Sequence, residues 1–259
     1  MNLRRTGWSW LGCMPILLLV TGCITETTGG FTSNPSPEEA LERRVSLARQ
    51  YIGEGDWENA KRNLQLAADI DSSNAEVYEA FGLVYQSTGE FELADMNFSR
   101  ALKADPQLSR ARNNYAAFLS SMGRYEEAEQ QFEQVTTDTL YRARPLAFIN
   151  LGLTRLRLGN NAGAEQAFAR SLSMDRRNPI ALLEMGYLRL QDGAPDQAEL
   201  YYGVYRTAVP RQSPRGLLLG IGIAAASDDA DALSSYELAL RNLYPDSPEY
   251  RNYLAQQSQ

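Results

Sequence analysis

The chain has 259 residues, no histidine and only two cysteines. Without histidine it lacks the commonest general base and the commonest metal ligand. Two cysteines cannot build a disulfide framework. No apolar run is long enough to cross a bilayer: the longest, from about Trp8 to Val20, falls short of the ~20 residues that a ~30 Å hydrocarbon core demands of a helix. Phosphate-binding loops, catalytic carboxylate pairs and Ser-Lys dyads are also missing. Ser120-Ser121 and the acidic run Ser227 to Asp231 have the composition of turns and helix caps. These absences predict a protein that is not an enzyme and uses no cofactor or metal.

Arg4 and Arg5 precede the apolar run, which is the layout of an export signal. The tetrapeptide Val20-Thr21-Gly22-Cys23 that closes it resembles the lipobox of bacterial lipoproteins. That resemblance implies cleavage before Cys23 once its thiol carries a diacylglycerol, so residues 1–22 are read as signal peptide and Cys23 as the lipidated first residue. Cys13 sits inside the apolar run and is read as part of the signal. Loss of Arg4 and Arg5 leaves 23 basic against 32 acidic residues, a net charge of −9, which disfavours nucleic acid and anionic membrane surfaces as partners. Attachment would come from the lipid: at ~0.8 kcal/mol per buried methylene one chain anchors marginally, whereas two or three hold stably. In lipoproteins of this type an aspartate after the lipidated cysteine signals inner-membrane retention. Here that position is Ile24, which implies the outer membrane, with the folded part in the periplasm. The Thr-, Gly-, Ser- and Pro-rich stretch from Ile24 to about Pro37 reads as a flexible tether spanning on the order of 20 Å. With Cys23 it is assigned to residues 23–40.

The rest of the chain is periodic. Ala60, Ala94 and Ala128 are 34 apart, Ala164 follows at 36, and Ala198 and Ala232 resume the step of 34. Four residues after each stands Leu64, Phe98, Phe132, Phe168, Tyr202 or Tyr236. Twelve residues before each stands Ala48, Gly82, Ala116, Gly152, Gly186 or Gly220. The residues just ahead of these small ones are Leu47, Phe81, Tyr115, Leu151, Met185 and Leu219. Small residues at facing positions let two helices approach closely, and large ones fill the space beside the contact. Gly55, Gly89 and Gly123 suit left-handed turns between helices, and Pro106 and Pro210 end the second helices.

This frame resembles the tetratricopeptide repeat, two antiparallel helices per 34 residues. The resemblance implies an all-α solenoid, a right-handed superhelix of six repeats over 41–74, 75–108, 109–144, 145–178, 179–212 and 213–246, closed by a capping helix over 247–259 with Ser247 as N-cap. Some positions depart from it. Repeat three carries a two-residue insertion in "TTDTLYRAR", with Val135 at a usually small position, and Tyr205 is also too large for its place. Arg155 and Arg189 either line a surface for an anionic partner or, as we expect, pack their stems with heads paired to Glu165, Glu184 or Glu199.

Two surfaces qualify as binding sites. Repeat one has nothing before it, yet shows Leu41, Val45 and Ile52 on its first helix and Leu66 on its second. Apolar groups exposed at an uncapped end predict a partner-binding site. The first helices of repeats four and five show Leu146, Ile149, Leu153, Leu156, Ile180, Leu183, Tyr187 and Leu190. That strip is either a peptide groove or, as we expect, is covered by the terminal helix through Tyr250, Tyr253 and Leu254. The positions at which chaperone-type repeats clamp a C-terminal carboxylate hold Val45, Arg49, Ala80, Ile180 and Glu184, so no such clamp is expected.

Lipobox, Ile24, short tether and six repeats together are similar to the type IV pilus biogenesis lipoproteins of the PilF/PilW kind. That resemblance implies a pilotin, which binds a secretin subunit, takes it to the outer membrane by its lipid and promotes its multimerisation. The alternative is a lipoprotein scaffold that recruits peptidoglycan enzymes. A capped solenoid with a polar exterior is expected to be a monomer.

Overall fold

The computed structural model describes residues 36–257. The expectations at Cys13, Cys23 and Ile24 lie outside the described residues. Among the described residues there are thirteen α-helices, six pairs and one more. Repeat one is α1 (Pro37–Glu54) and α2 (Trp57–Ile70), repeat two α3 (Ala75–Thr88) and α4 (Phe91–Ala104), and repeat three α5 (Ser109–Ser121) and α6 (Tyr125–Thr137). Repeat four is α7 (Arg144–Arg157) and α8 (Asn161–Met174), repeat five α9 (Pro179–Gln191) and α10 (Pro195–Ala208), and repeat six α11 (Pro214–Ala226) and α12 (Ala230–Leu243). The last helix is α13 (Pro248–Gln257). Among the described residues there is no strand. Helix α1 begins at Pro37, inside the stretch assigned to the tether. The pre-set φ of proline and the first-turn carboxylates of Glu38 and Glu39 both favour a helix start there.

Each helix from α1 to α12 packs on its sequence neighbours, α13 packs on α11, and first helices pack on first helices of the next repeat, α1 on α3, α3 on α5, α5 on α7 and α9 on α11. This stacking buries an apolar face that one hairpin alone would expose. Gly55, Gly89 and Gly123 turn the hairpins with φ of 74°, 82° and 78°. In repeat six Asp228, at φ 55°, takes the left-handed turn, and Asp229 caps α12 by accepting the Ala232 N–H at 2.9 Å. The insertion of repeat three lies in the loop 138–143, which Asp138 shapes by accepting the Leu140 N–H at 2.9 Å. Val135 is fully buried.

The small positions of the frame are sockets for the large ones. A Cβ on Gly82 would lie 2.7 Å from the Phe98 ring, and one on Gly152 would lie 2.5 Å from that of Phe168. The frame shifts in the C-terminal third. Gly186 faces Leu219 of the next repeat, while Tyr202 of repeat five packs against Gly220 and Tyr205 against Gly216. The oversized Tyr205 is thus accommodated by a glycine in repeat six, and its hydroxyl accepts the Ser213 N–H at 3.2 Å. The glycine richness of repeat six answers the tyrosine richness of repeat five.

By contrast Gly53, within α1, has nothing within 4 Å of a built Cβ and an ordinary backbone. Gly53→Ala is expected to raise stability by about 0.5 kcal/mol through helix propensity alone. Thermal unfolding checks it, and a lowered melting temperature would show that α1 does not persist to this point.

Candidate protein-binding surfaces

The four first-repeat residues do not form one exposed patch. Val45 is only 6% exposed, and Leu41 and Ile52 pack with it, half-buried, against a core made with Leu64, Val77 and Val84. The expectation of an exposed apolar surface is therefore corrected at Val45, while Leu41 and Ile52 keep part of their surface open. These residues follow the buried stripe of α1, because α3 covers that face. Leu66 is exposed, as is Ile70 one turn on. Leu41, Val45 and Ile70 also border a groove with Pro37, Glu42 and Asp71.

Beneath this groove lies an ionic cluster that the sequence reading missed. Glu79 of α3 is fully buried. It accepts from Arg49 of α1 and from Asn114 Nδ2 of α5 at 2.6 Å, and Arg110 Nε lies 3.6 Å away. One carboxylate thus joins three repeats. The signal was a glutamate in the middle of "AEVYEAFGLVY", where helical spacing demands an apolar residue.

Arg155 and Arg189 are engaged by carboxylates. Arg189 pairs with Glu165, as expected, and with Asp192 at 3.2 Å. Arg155 meets Glu129 at 2.7 Å and Glu133, not the glutamates named for it. Those have other partners: Glu199 holds Arg206 at 2.6 Å, and Glu184, 2% exposed, takes both terminal nitrogens of Arg215. The Arg215 guanidinium stacks 4.7 Å from the Tyr187 ring centroid, and the Tyr187 hydroxyl donates to the Arg215 carbonyl at 2.6 Å. Glu184 holds Arg215 above the usual arginine range. Burial pushes the Tyr187 phenol up to about 12, so it stays neutral.

Cover of the repeat-four and repeat-five strip by the terminal helix is also corrected. Ser247 caps α13 by accepting the Tyr250 N–H at 3.1 Å, as expected. Tyr250 and Tyr253 then pack against Leu217, Ile221 and Leu240 of repeat six. The strip itself divides: Ile149 and Leu183 are buried, whereas Leu146 and Ile180 stand exposed. Beside it lie two neighbouring depressions, together called the trough here, each lined in part by Glu184 and Arg215. One is lined by Ser121, Asn150, Leu153, Leu156 and Arg157, the other by Ile180, Leu183, Val209, Arg211 and Pro214.

Among the described residues no three His, Cys, Asp or Glu side chains come together to hold a metal. No described helix is long and apolar enough to cross a membrane. Helix hairpins on a 34-residue frame, stacked so that first helices line open grooves, define a tetratricopeptide-repeat protein. Tetratricopeptide-repeat family models match residues 75–108, 97–130 and 149–213. The chain is 36% identical over 238 residues to the type IV pilus assembly protein PilF of Pseudomonas aeruginosa, covering 92% of this chain and 94% of that relative. It belongs to the PilF family of type IV pilus assembly proteins. The solved structure of Pseudomonas aeruginosa PilF matches with a TM-score of 0.79 and 37% identity, covering 86% of this chain and 100% of that one. The type IV pilus biogenesis factor PilW matches with a TM-score of 0.74 and 27% identity, covering 83% of this chain and 99% of that one.

Proposed function

We propose that this protein is an outer-membrane lipoprotein adaptor of type IV pilus biogenesis. It binds a secretin subunit and promotes its localisation and multimerisation in the outer membrane. The observation that carries this reading is the 36% identity to PilF over 92% of the chain. The stacked hairpins offer grooves and no reacting group, so the work is done by binding. The lipid on Cys23 would supply location, and the repeats recognition.

Cys23→Ser is expected to leave the repeats folded and to move the protein from the outer-membrane fraction to the soluble periplasm, with most secretin multimer lost. Fractionation and immunoblotting of the multimer check both. A variant still sorted to the outer membrane would overturn the lipid anchor. Co-purification that returns peptidoglycan hydrolases or synthases instead of a secretin would favour the scaffold alternative.

The exposed pair Leu66 and Ile70 is the part of the first-repeat surface proposed to meet a partner. Leu66→Glu should lower multimer yield severalfold with an unchanged melt, because a charge would face a desolvated contact. Val45→Glu cannot serve as that test, since it would bury the charge and unfold the repeat.

A further inference from the structure

The surface grooves differ in charge from one end of the repeats to the other. The first-repeat groove is bordered by Glu38, Glu42, Asp71 and Glu76, and its two arginines, Arg49 and Arg110, are engaged by Glu76 and Glu79. The trough of repeats three to six is opposite in sign. Its charged residues are Arg157, Arg211, Arg215 and Glu184, and Glu184 is neutralised by Arg215. Arg157 and Arg211 are exposed and, among the described residues, meet no carboxylate.

This matters because the chain as a whole carries 32 acidic against 25 basic residues. Two unpaired guanidinium groups beside leucine and isoleucine side chains are therefore a local reversal of the protein's field. Such a field attracts an anionic segment and repels a cationic one. The floor adds a second constraint. Asn150 also lines the trough, and its side chain has no hydrogen-bond partner among the described residues. One carboxamide offers a donor and an acceptor, matching a single peptide group. A helix satisfies its own peptide groups, whereas an extended chain leaves them available.

We infer that the trough of repeats three to six binds an extended partner segment in which acidic side chains, paired with Arg157 and Arg211, stand beside aliphatic ones seated against Leu153, Ile180 and Val209. Arg215 is already paired with Glu184 through both terminal nitrogens, so the proposal rests on Arg157 and Arg211. This inference rests on the reading of the protein as a binding adaptor.

The test starts from a phage-displayed library of random dodecapeptides selected on the purified protein. The most enriched peptide is then made with a fluorescein label and titrated by anisotropy. Enriched sequences should combine Asp or Glu with Leu, Ile or Val. Affinity should fall about tenfold or more on Arg157→Glu/Arg211→Glu, less on Arg157→Gln/Arg211→Gln, and least on Arg157→Lys/Arg211→Lys, with a steep salt dependence. Circular-dichroism melts matching wild type accompany each variant, and the glutamine pair serves if charge reversal impairs folding. No enrichment, enrichment of basic or uncharged peptides, or an affinity indifferent to these substitutions would overturn the inference. Secretin multimer yield in cells carrying the double variants is read separately. Trough-dependent peptide binding with normal multimers supports this site and removes the secretin from it. Loss of multimers without any peptide preference keeps the pilus reading and removes the site.

Discussion

Gly152→Leu is expected to cost about 3 kcal/mol, the upper end for an overpacked core, and to lower Tm by several degrees at roughly 2–4 °C per kcal/mol for a chain of this size. The reason is geometric. The first atom of any side chain at Gly152 would lie 2.5–2.8 Å from three atoms of the Phe168 ring. That ring is fully buried between Ile149, Ala164 and Met185, so it has nowhere to rotate. The diagnostic measurement is the double variant Gly152→Leu/Phe168→Ala. If the two residues share one socket, the leucine fills part of the cavity left by the ring. The double variant should then melt above the sum of the single effects by an amount worth about 1–2 kcal/mol. Strict additivity would mean that Phe168 does not fill the space beside Gly152. The protein itself carries such an exchange of sizes, in the tyrosines of repeat five and the glycines of repeat six.

Glu79→Ala is expected to cost about 3 kcal/mol, because removing one partner of a buried ionic cluster leaves the others uncompensated. The effect should sit at the low end of the usual 3–5 kcal/mol range. The side chains of Arg49 and Arg110 keep 26% and 39% exposure and can turn toward water. Glu79→Gln should cost less than Glu79→Ala, since an amide oxygen can still accept from Asn114. Because Glu79 joins α1, α3 and α5, unfolding should also lose cooperativity, with repeat one detaching first; hydrogen exchange reads this directly. Unchanged protection in α1 with an unchanged Tm would show that the cluster carries no stability.

Most of the architecture was legible in the chain because a 34-residue spacing of small and large residues has few physical solutions. Ala48 with Leu64, Gly82 with Phe98 and Gly152 with Phe168 can be close pairs only if two helices return on each other at that period. Turn glycines and Ser247 carry their own conformational signatures. Less of the candidate surface was legible. Leu41, Val45 and Ile52 were read as exposed because nothing precedes them, yet a helix has more than one neighbour, and α3 covers that side.

By itself, then, the sequence determined the hairpins, their order and the sockets that stack them, since these depend on residues whose spacing along the chain is short and regular. It also determined that no histidine or cysteine framework supplies chemistry. Only the tertiary structure decided which apolar residues remain exposed, where the terminal helix docks, and which charges are spent within the protein. Those outcomes depend on side chains that meet across repeats, about 20 to 35 residues apart, as Glu79 meets Asn114 and Glu184 meets Arg215. An arginine that is paired and one that is free look the same in sequence. Arg155 and Arg157 differ only in which face of α7 they occupy, and the packing of α7 beside α6 directs the first to Glu129 and leaves the second facing the trough.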